Sequence, residues 1–144
     1  MEREVLRVRD LWVYHRSDDG GTATLKGVDF SLAAGECLSV LGESGAGKTT
    51  SLRTLDPKTT LIIDCDKKGL PWRGWKRQYS RENKNYTATS NTIDIWNLLK
   101  RVHGQDLTHV KTVVIDTLNG IMVDDEMARM REKNYDKWAD LAAS

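Results

Sequence analysis

The sequence predicts an α/β protein in which a mainly parallel sheet lies between helices in three layers, preceded by an antiparallel β-hairpin. Two segments of alternating apolar and polar residues flank a glycine turn near the N-terminus. Short, nearly unbroken apolar runs, typical of parallel strands covered on both faces, then alternate with segments of helical periodicity. A glycine-rich loop follows the first of these runs.

The hairpin is predicted from residues 4–14 and 23–32, which are rich in β-forming residues. Asp10 interrupts the first segment, so we expect a break in that strand. The clusters 17–21 and 33–36 contain the residues that favour turns. Two strands joined by a short glycine-rich turn favour antiparallel pairing.

A phosphate-binding motif, G-x-x-x-x-G-K-[ST], occupies residues 42–49: Gly42, Glu43, Ser44, Gly45, Ala46, Gly47, Lys48 and Thr49. The apolar run 37–41 before it predicts a strand, and residues 50–55 after it predict a helix. Glycines allow backbone N–H groups to surround an anion. Lys48 would reach the β- and γ-phosphates of a nucleotide, Thr49 would bind Mg²⁺, and Thr50 completes the predicted set. The alternative is a glycine-rich turn that binds nothing.

The rest of the chain continues the alternation. Asp56-Pro57 is expected to end the helix after the motif. Strands are predicted at 60–66, 86–89 and 111–116, and helices at 91 or 92 to 102 and at about 124 to 141. Cys37 and Cys65 both fall in predicted buried strands and are interpreted as reduced core thiols.

Asp116 ends an apolar strand, which is the Walker B pattern. Such a carboxylate holds Mg²⁺ opposite the threonine hydroxyl of the phosphate-binding motif, so Thr49 and Asp116 are the predicted metal ligands. A turn carboxylate at a strand end is the alternative.

Hydrolysis also requires a group that positions or deprotonates water. Thr117 stands where many P-loop proteins carry glutamate directly after the Walker B aspartate. Asp64 and Asp66 at the end of the second strand, and Asp94 after the third, are the available carboxylates, because strand ends converge on the ligand crevice. Turn or cap carboxylates remain the alternative. The candidate catalytic residues are Lys48, Asp66, Asp94 and Asp116.

Residues 1–50 resemble the start of an ABC transporter ATPase, with the peptide-importer branch nearest. The resemblance rests on residues 6–14, 25–32 and 35–50. It implies ATP as the nucleotide and Tyr14 as the aromatic residue that stacks on adenine; a tyrosine packed within the hairpin is the alternative. An LSGGQ-like signature, a Q-loop, a Walker B glutamate and a switch histidine are absent from the sequence, so coupling to transport stays open.

Residues 47–144 resemble phage RecA-like ATPases, including those associated with single-strand annealing. The matching segments are 47–57, 62–66, 74–76, 112–117 and 127–138. We therefore expect a P-loop NTPase core in one domain, 1–144, with an ABC-like hairpin over 1–36 and a C-terminally short RecA-like core over 37–144. An engineered or recombined chimera is expected; a natural protein with a divergent N-terminal region is the alternative. A shortened sheet leaves an edge strand, which favours a homo-oligomer.

The segment 67–84 combines basic and aromatic residues. Its basic residues are Lys67, Lys68, Arg73, Lys76, Arg77, Arg81 and Lys84, and its aromatic residues are Trp72, Trp75 and Tyr79. Cations that contact phosphates and rings that stack on bases predict single-stranded DNA binding. The alternative is a solvated loop whose tryptophans pack against the sheet.

Composition limits the function further. A net charge of +1 argues against a general nucleic-acid coat, and no apolar run approaches a membrane span or a secretory signal, so we expect a cytoplasmic protein. The sequence predicts Mg²⁺-dependent ATP binding with slow or absent hydrolysis. A DNA-binding recombination accessory ATPase, or a fold chimera without biological activity, is the alternative.

Overall fold

The computed structural model describes residues 3–17, 20–42 and 47–129, and the chain divides into two compact units. The first unit comprises Met1–Pro57 and Leu70–Gln78, and the second comprises Lys58–Gly69 and Tyr79–Ser144. An antiparallel two-stranded sheet and a parallel three-stranded sheet confirm the predicted α/β class with an N-terminal hairpin. The expectation of a single domain stays a prediction.

In the first unit, β1 (Glu4–Ser17) pairs antiparallel with β2 (Gly20–Ala33), so both strands are longer than predicted. The register shifts between Val8 and Leu11, and Asp10 adopts a left-handed φ of 49°. The break predicted at Asp10 is therefore confirmed as a bulge.

The strand predicted for residues 37–41 is wrong. The segment has no secondary structure and pairs with no strand that the structure describes, and Leu41 is 91% exposed. Cys37 is exposed as well, so its predicted place in the core is also wrong, whereas Cys65 is buried as predicted. A strand requires a hydrogen-bonded neighbour, and an apolar run does not supply one by itself.

The helix after the motif begins two residues earlier than predicted. It consists of α1 (Lys48–Ser51) and a following 3₁₀ turn (Leu52–Thr54), and it ends before Asp56-Pro57 as expected. A further short helix, α2 (Trp75–Gln78), completes the first unit.

The second unit contains the parallel sheet, in the order β4 (Tyr86–Ala88), β3 (Thr60–Asp64) and β5 (Thr112–Asp116). Every residue of β3 is buried, as its apolar sequence predicts. The register pairs Asp64 with both Ala88 and Asp116, so the carboxyl ends of the three strands lie side by side.

Two helices pack on this sheet. In α3 (Thr92–His103), the Asn91 side chain caps the N-terminus by accepting from the backbone N–H groups of Ile93 and Asp94, which confirms the predicted helix start. A helix α4 covers 118–129, so it begins earlier than the predicted residue 124, and the predicted continuation to 141 lies outside the described residues.

The core of the second unit forms on one face of β3. Leu61, Ile63 and Cys65 pack with Ile95 of α3, and Ile121 of α4 joins them. Among the described residues, no helix combines the length and apolar character that crossing a membrane requires.

Candidate functional site

The described part of the phosphate-binding motif consists of Gly42 and the residues from Gly47 onward; Glu43, Ser44, Gly45 and Ala46 lie outside the described residues. Gly47 precedes α1 with φ 88° and ψ 8°, a left-handed conformation that glycine adopts readily. No side chain caps α1 at this residue. The first turn of α1, with Thr49 and Thr50 half-buried, therefore begins without a side-chain acceptor at its cap.

The Lys48 side chain contacts the first residue of its own motif. Its Nζ donates a hydrogen bond of 2.5 Å to the carbonyl oxygen of Gly42, the first residue of the motif. This bond joins the two ends of the described part of the motif. A lysine at this position of the motif is the cation that contacts phosphate oxygens in phosphate-binding loops.

Tyr14 lies on β1, the strand that approaches α1 within the first unit. Its side chain is 65% exposed and stacks against Trp12, with ring centroids 6.1 Å apart and planes 13° from parallel. The Trp12 indole N–H donates to Asp10 Oδ1 at 2.6 Å, which fixes the tryptophan at the bulge. Two stacked rings rather than one thus stand exposed. Sequence reasoning missed Trp12, although its spacing of two residues from Tyr14 places both on one face of a strand.

In the second unit, Asp66, Asp116 and Thr117 meet at the carboxyl ends of β3 and β5. The backbone N–H of Cys65 donates to the Asp116 carbonyl at 2.7 Å, and the Thr117 hydroxyl donates to Asp66 Oδ1 at 3.3 Å. Lys68 lies 3.5 Å from Asp66 Oδ2. The ends of β3 and β5 thus lie at the same edge of the sheet, where Asp66 contacts Thr117, the residue after Asp116.

Asp64 and Asp94 have structural hydrogen bonds. The buried Asp64 carboxylate accepts from the Gly69 backbone N–H and from the Tyr86 hydroxyl, both at 2.7 Å. Burial, and secondly this bond to the Asp64 carboxylate, raise the pKa of Tyr86 above its ordinary value. Asp94 accepts from the Thr89 hydroxyl at 3.2 Å in the first turn of α3. The N-cap of this helix is Asn91, and Asp94 lies in the turn that follows it.

The Cys65 thiol lies among these carboxylates. Burial raises its pKa to about 11, and the charges of Asp64, Asp66 and Asp116 act in the same direction, against a smaller opposite effect of Lys67. A thiol with this pKa remains protonated and unreactive at neutral pH, so Cys65 serves the core rather than chemistry.

A polar contact that the sequence did not predict links the loops to α4. The Ser90 hydroxyl donates to Asp124 Oδ2, and Lys67 lies 3.5 Å from the same oxygen. The loops that follow β3 and β4 are thereby tied to one helix. Serine and aspartate 34 residues apart give no local signal, which is why sequence reasoning missed this contact.

The aromatic residues of segment 67–84 are mostly unavailable for stacking. Trp72 and Tyr79 are buried, and Trp75 is half-buried. The Trp72 indole N–H donates to Gln78 Oε1 at 2.9 Å. For these residues the structure agrees with packed side chains, the alternative given from the sequence.

The predicted site residues fall into both units: Tyr14 and the phosphate-binding motif belong to the first, and the aspartates belong to the second. In the described parts of the chain, no three His, Cys, Asp or Glu side chains form a group able to hold a metal ion.

The G-x-x-x-x-G-K-T motif, its following helix and the parallel sheet together define a P-loop protein of the α/β class. The chain belongs to the ABC transporter family, whose profile matches residues 25–136. The match extends well beyond the first fifty residues on which the sequence resemblance rested.

Curated relatives agree with this family. The chain is 37% identical over 99 residues to the cytochrome c biogenesis ATP-binding export protein CcmA of Rhodobacter capsulatus, a match covering 62% of this chain and 46% of the relative. It is 34% identical over 90 residues to the spermidine/putrescine import ATP-binding protein PotA of Mesoplasma florum, covering 60% and 25%.

The lipoprotein-releasing system ATP-binding protein LolD of Idiomarina loihiensis is 31% identical over 91 residues, covering 60% of this chain and 40% of the relative. The chain thus spans less than half the length of these three relatives. No solved structure matches the chain significantly.

Proposed function

We propose that the chain binds ATP together with Mg²⁺ through residues 42–49, Tyr14 and Asp116. The observations that carry the proposal are the hydrogen bond from Lys48 Nζ to the Gly42 carbonyl and the left-handed Gly47 that precedes α1. Membership of the ABC transporter family and the ATP-binding proteins among the relatives support it.

Each group has one task in this proposal. The backbone N–H groups at the start of α1 and the Lys48 ammonium bind phosphate oxygens, with Lys48 exchanging the Gly42 carbonyl for the ligand. Tyr14, backed by Trp12, stacks on the adenine. Thr49 and Asp116 would hold Mg²⁺, which would supply positive charge beside the phosphates. When bound, ATP supplies an activated phosphoanhydride bond.

For slow hydrolysis, Asp66 is the carboxylate we propose to orient water. It lies beside Asp116 at the strand ends, and its Oδ1 is held by the Thr117 hydroxyl while Lys68 lies near Oδ2. Asp94 is the weaker candidate, because it lies in the first turn of α3 and not at the end of a strand.

Isothermal titration calorimetry with ATP and Mg²⁺ tests the binding site. Lys48→Ala is expected to weaken ATP binding by at least about tenfold, because hydrogen bonds to charged groups contribute about 1.5–3 kcal/mol. Lys26→Ala, an exposed charge on β2, is the matched control and should leave the affinity unchanged. Equal affinities for both variants would exclude the site.

Steady-state phosphate release at saturating ATP separates the two carboxylates. Asp66→Asn is expected to lower kcat at least tenfold with little change in ATP affinity. Asp94→Asn should leave kcat close to the wild-type value. If only Asp94→Asn lowered kcat, the water-orienting role would belong to Asp94 and not to Asp66.

The remaining sequence-based expectations stay predictions: the RecA-like resemblance, a chimeric origin, a homo-oligomer, a cytoplasmic location and single-stranded DNA binding. The buried Trp72 and Tyr79 do not favour the DNA-binding alternative. Transport is not part of the proposal, since the chain spans less than half of its relatives.

A further inference from the structure

The bulge at Asp10 reverses the two faces of β1. From Val8 to Leu11, β1 advances three positions while β2 advances two, from Phe30 to Val28. Phe30 and Val28 are two residues apart on one strand, so their side chains lie on the same face, and so do those of the residues that pair with them. Val8 and Leu11 therefore share a face although their spacing is odd. One extra residue in β1 has reversed the alternation of its side chains.

This reversal decides on which face Trp12 and Tyr14 lie. In a regular strand both rings would share the face of Val8, because these residues are separated by even numbers of positions. The structure instead has Val13 buried on that face and both rings exposed on the other. Ala23 pairs with Tyr14 on β2, and its methyl group is too small to cover the ring. The bulge thus turns both aromatic side chains to the outer face of the hairpin.

Hydrogen bonds hold the bulge in place. The backbone N–H of Asp10 donates to Asp29 Oδ1 on β2 at 3.0 Å, and Asp10 Oδ1 accepts from the Trp12 indole N–H at 2.6 Å. Gly27 of β2 lies beside both groups, since a Cβ there would be 3.4 Å from Asp10 Oδ1 and 3.9 Å from the Trp12 ring. Asp10 therefore connects β2 to the Trp12 side chain through its backbone and its carboxylate.

Trp12 transmits this restraint to Tyr14. The two ring centroids are 6.1 Å apart and the planes differ by 13°, within the range of about 4.5–7 Å that is typical of offset-stacked aromatic pairs. Because the Trp12 ring is fixed by its hydrogen bond, the Tyr14 ring that stacks on it has fewer conformations available. A ring ordered before a ligand arrives loses less entropy when the ligand binds.

We propose that Asp10 is the positioning residue for the base of the bound nucleotide. The inference rests on the proposed function, in which Tyr14 stacks on adenine. Asp10 turns the Tyr14 ring outward through the bulge and restrains it through Trp12, without contacting the nucleotide itself. Its contribution therefore concerns the base, and phosphate binding by residues 42–49 does not depend on it.

Calorimetry with two ligands tests this role: ATP, which carries the base, and inorganic tripolyphosphate, which lacks it, each with Mg²⁺. Asp10→Gly keeps the left-handed backbone but removes the acceptor for the Trp12 N–H. It is expected to weaken ATP binding about three- to tenfold, because part of the stacking contribution is lost. The affinity for tripolyphosphate should equal that of the asparagine variant.

Asp10→Asn is the matched control. Asparagine removes the same charge, tolerates the left-handed conformation and retains an oxygen acceptor, so its ATP affinity should stay within about twofold of the wild type. Trp12→Phe retains a ring but lacks the N–H donor, and it should show the same loss as Asp10→Gly.

A double-mutant cycle with Tyr14→Ala separates positioning from a general structural role. Once the Tyr14 ring is absent, Asp10→Gly should cause no further loss of ATP affinity, because a residue that acts through another is not additive with it. A general structural role would instead weaken the binding of both ligands and add its effect in both backgrounds.

The outcomes distinguish this inference from the proposed function. Weaker ATP binding in Asp10→Gly and Trp12→Phe, with tripolyphosphate binding retained, supports the positioning role. Equal ATP affinities of Asp10→Gly and Asp10→Asn, an additive loss in the Tyr14→Ala background, or an unchanged affinity in Tyr14→Ala itself would overturn it and leave the phosphate site intact. If the wild type bound neither ligand, the proposed function would be wrong, and this inference with it.

Discussion

The runs 37–41 and 61–65 have similar apolar sequences, Cys-Leu-Ser-Val-Leu and Leu-Ile-Ile-Asp-Cys, and opposite structures. Leu61, Ile62 and Ile63 are at most 1% exposed within a strand, whereas Val40 and Leu41 are 59% and 91% exposed in an unpaired segment. The run 37–41 has no strand partner among the described residues. The run 61–65 overlaps β3, which pairs with β4 on one side and with β5 on the other. Apolar sequence therefore sets the tendency to be buried, and neighbouring strands decide whether it is realised.

The largest expected difference concerns the two cysteines. Cys37 is exposed, while Cys65 is buried among carboxylates with a pKa raised to about 11. In native protein at pH 8, a disulfide reagent such as DTNB should modify Cys37 at least about a hundredfold faster than Cys65. Cys37→Ser should abolish the fast phase, and urea should expose the second thiol. If both thiols reacted rapidly in native protein, the predicted difference in burial between Cys37 and Cys65 would be wrong.

The raised pKa of Cys65 also gives a pH dependence. Since the folded pKa near 11 lies above the ordinary value near 9, folding favours the protonated thiol. Its contribution to stability is complete below about pH 9 and is lost as the pH rises toward 11. Urea unfolding across this range should show a steeper loss for the wild type than for Cys65→Ala.

The buried residues of the run 61–65 should contribute more to the free energy of unfolding than the exposed residues of the run 37–41. Ile63→Ala is expected to lower the free energy of unfolding by about 2–5 kcal/mol, because it empties a fully buried site. Val40→Ala, at an exposed position of the first run, should change it by less than about 0.5 kcal/mol. Urea denaturation of both variants measures the difference. Similar losses would show that the first run is buried in solution.

A smaller effect is expected where α4 covers the end of the second run. A Cβ at Gly120 would lie 2.5 Å from the carbonyl oxygen of Cys65, so Gly120→Ala should destabilise the chain by about 1–3 kcal/mol. Helix propensity alone would give the opposite sign, a gain of about 1 kcal/mol. Asn119→Ala, the exposed neighbour, is the control and should be close to neutral. Stabilisation by Gly120→Ala would contradict the close approach of α4.

Local chemistry in the sequence determined the hairpin with its bulge at Asp10, the three parallel strands, the cap at Asn91 and the phosphate-binding motif. Periodicity, turn residues and caps act over a few residues, so they can be read without knowledge of the partners. The same rules could not assign roles to Asp64, Asp66 and Asp94, because all three aspartates lie at or after the end of a predicted strand and their local sequences do not distinguish them.

Only the tertiary structure separated these residues, because it pairs the carboxylates of Asp64, Asp94 and Asp66 with the hydroxyl groups of Tyr86, Thr89 and Thr117, respectively. It also left the run 37–41 exposed. Burial and pairing depend on residues far apart in the chain, and the free energy of each contact exists only once those residues meet.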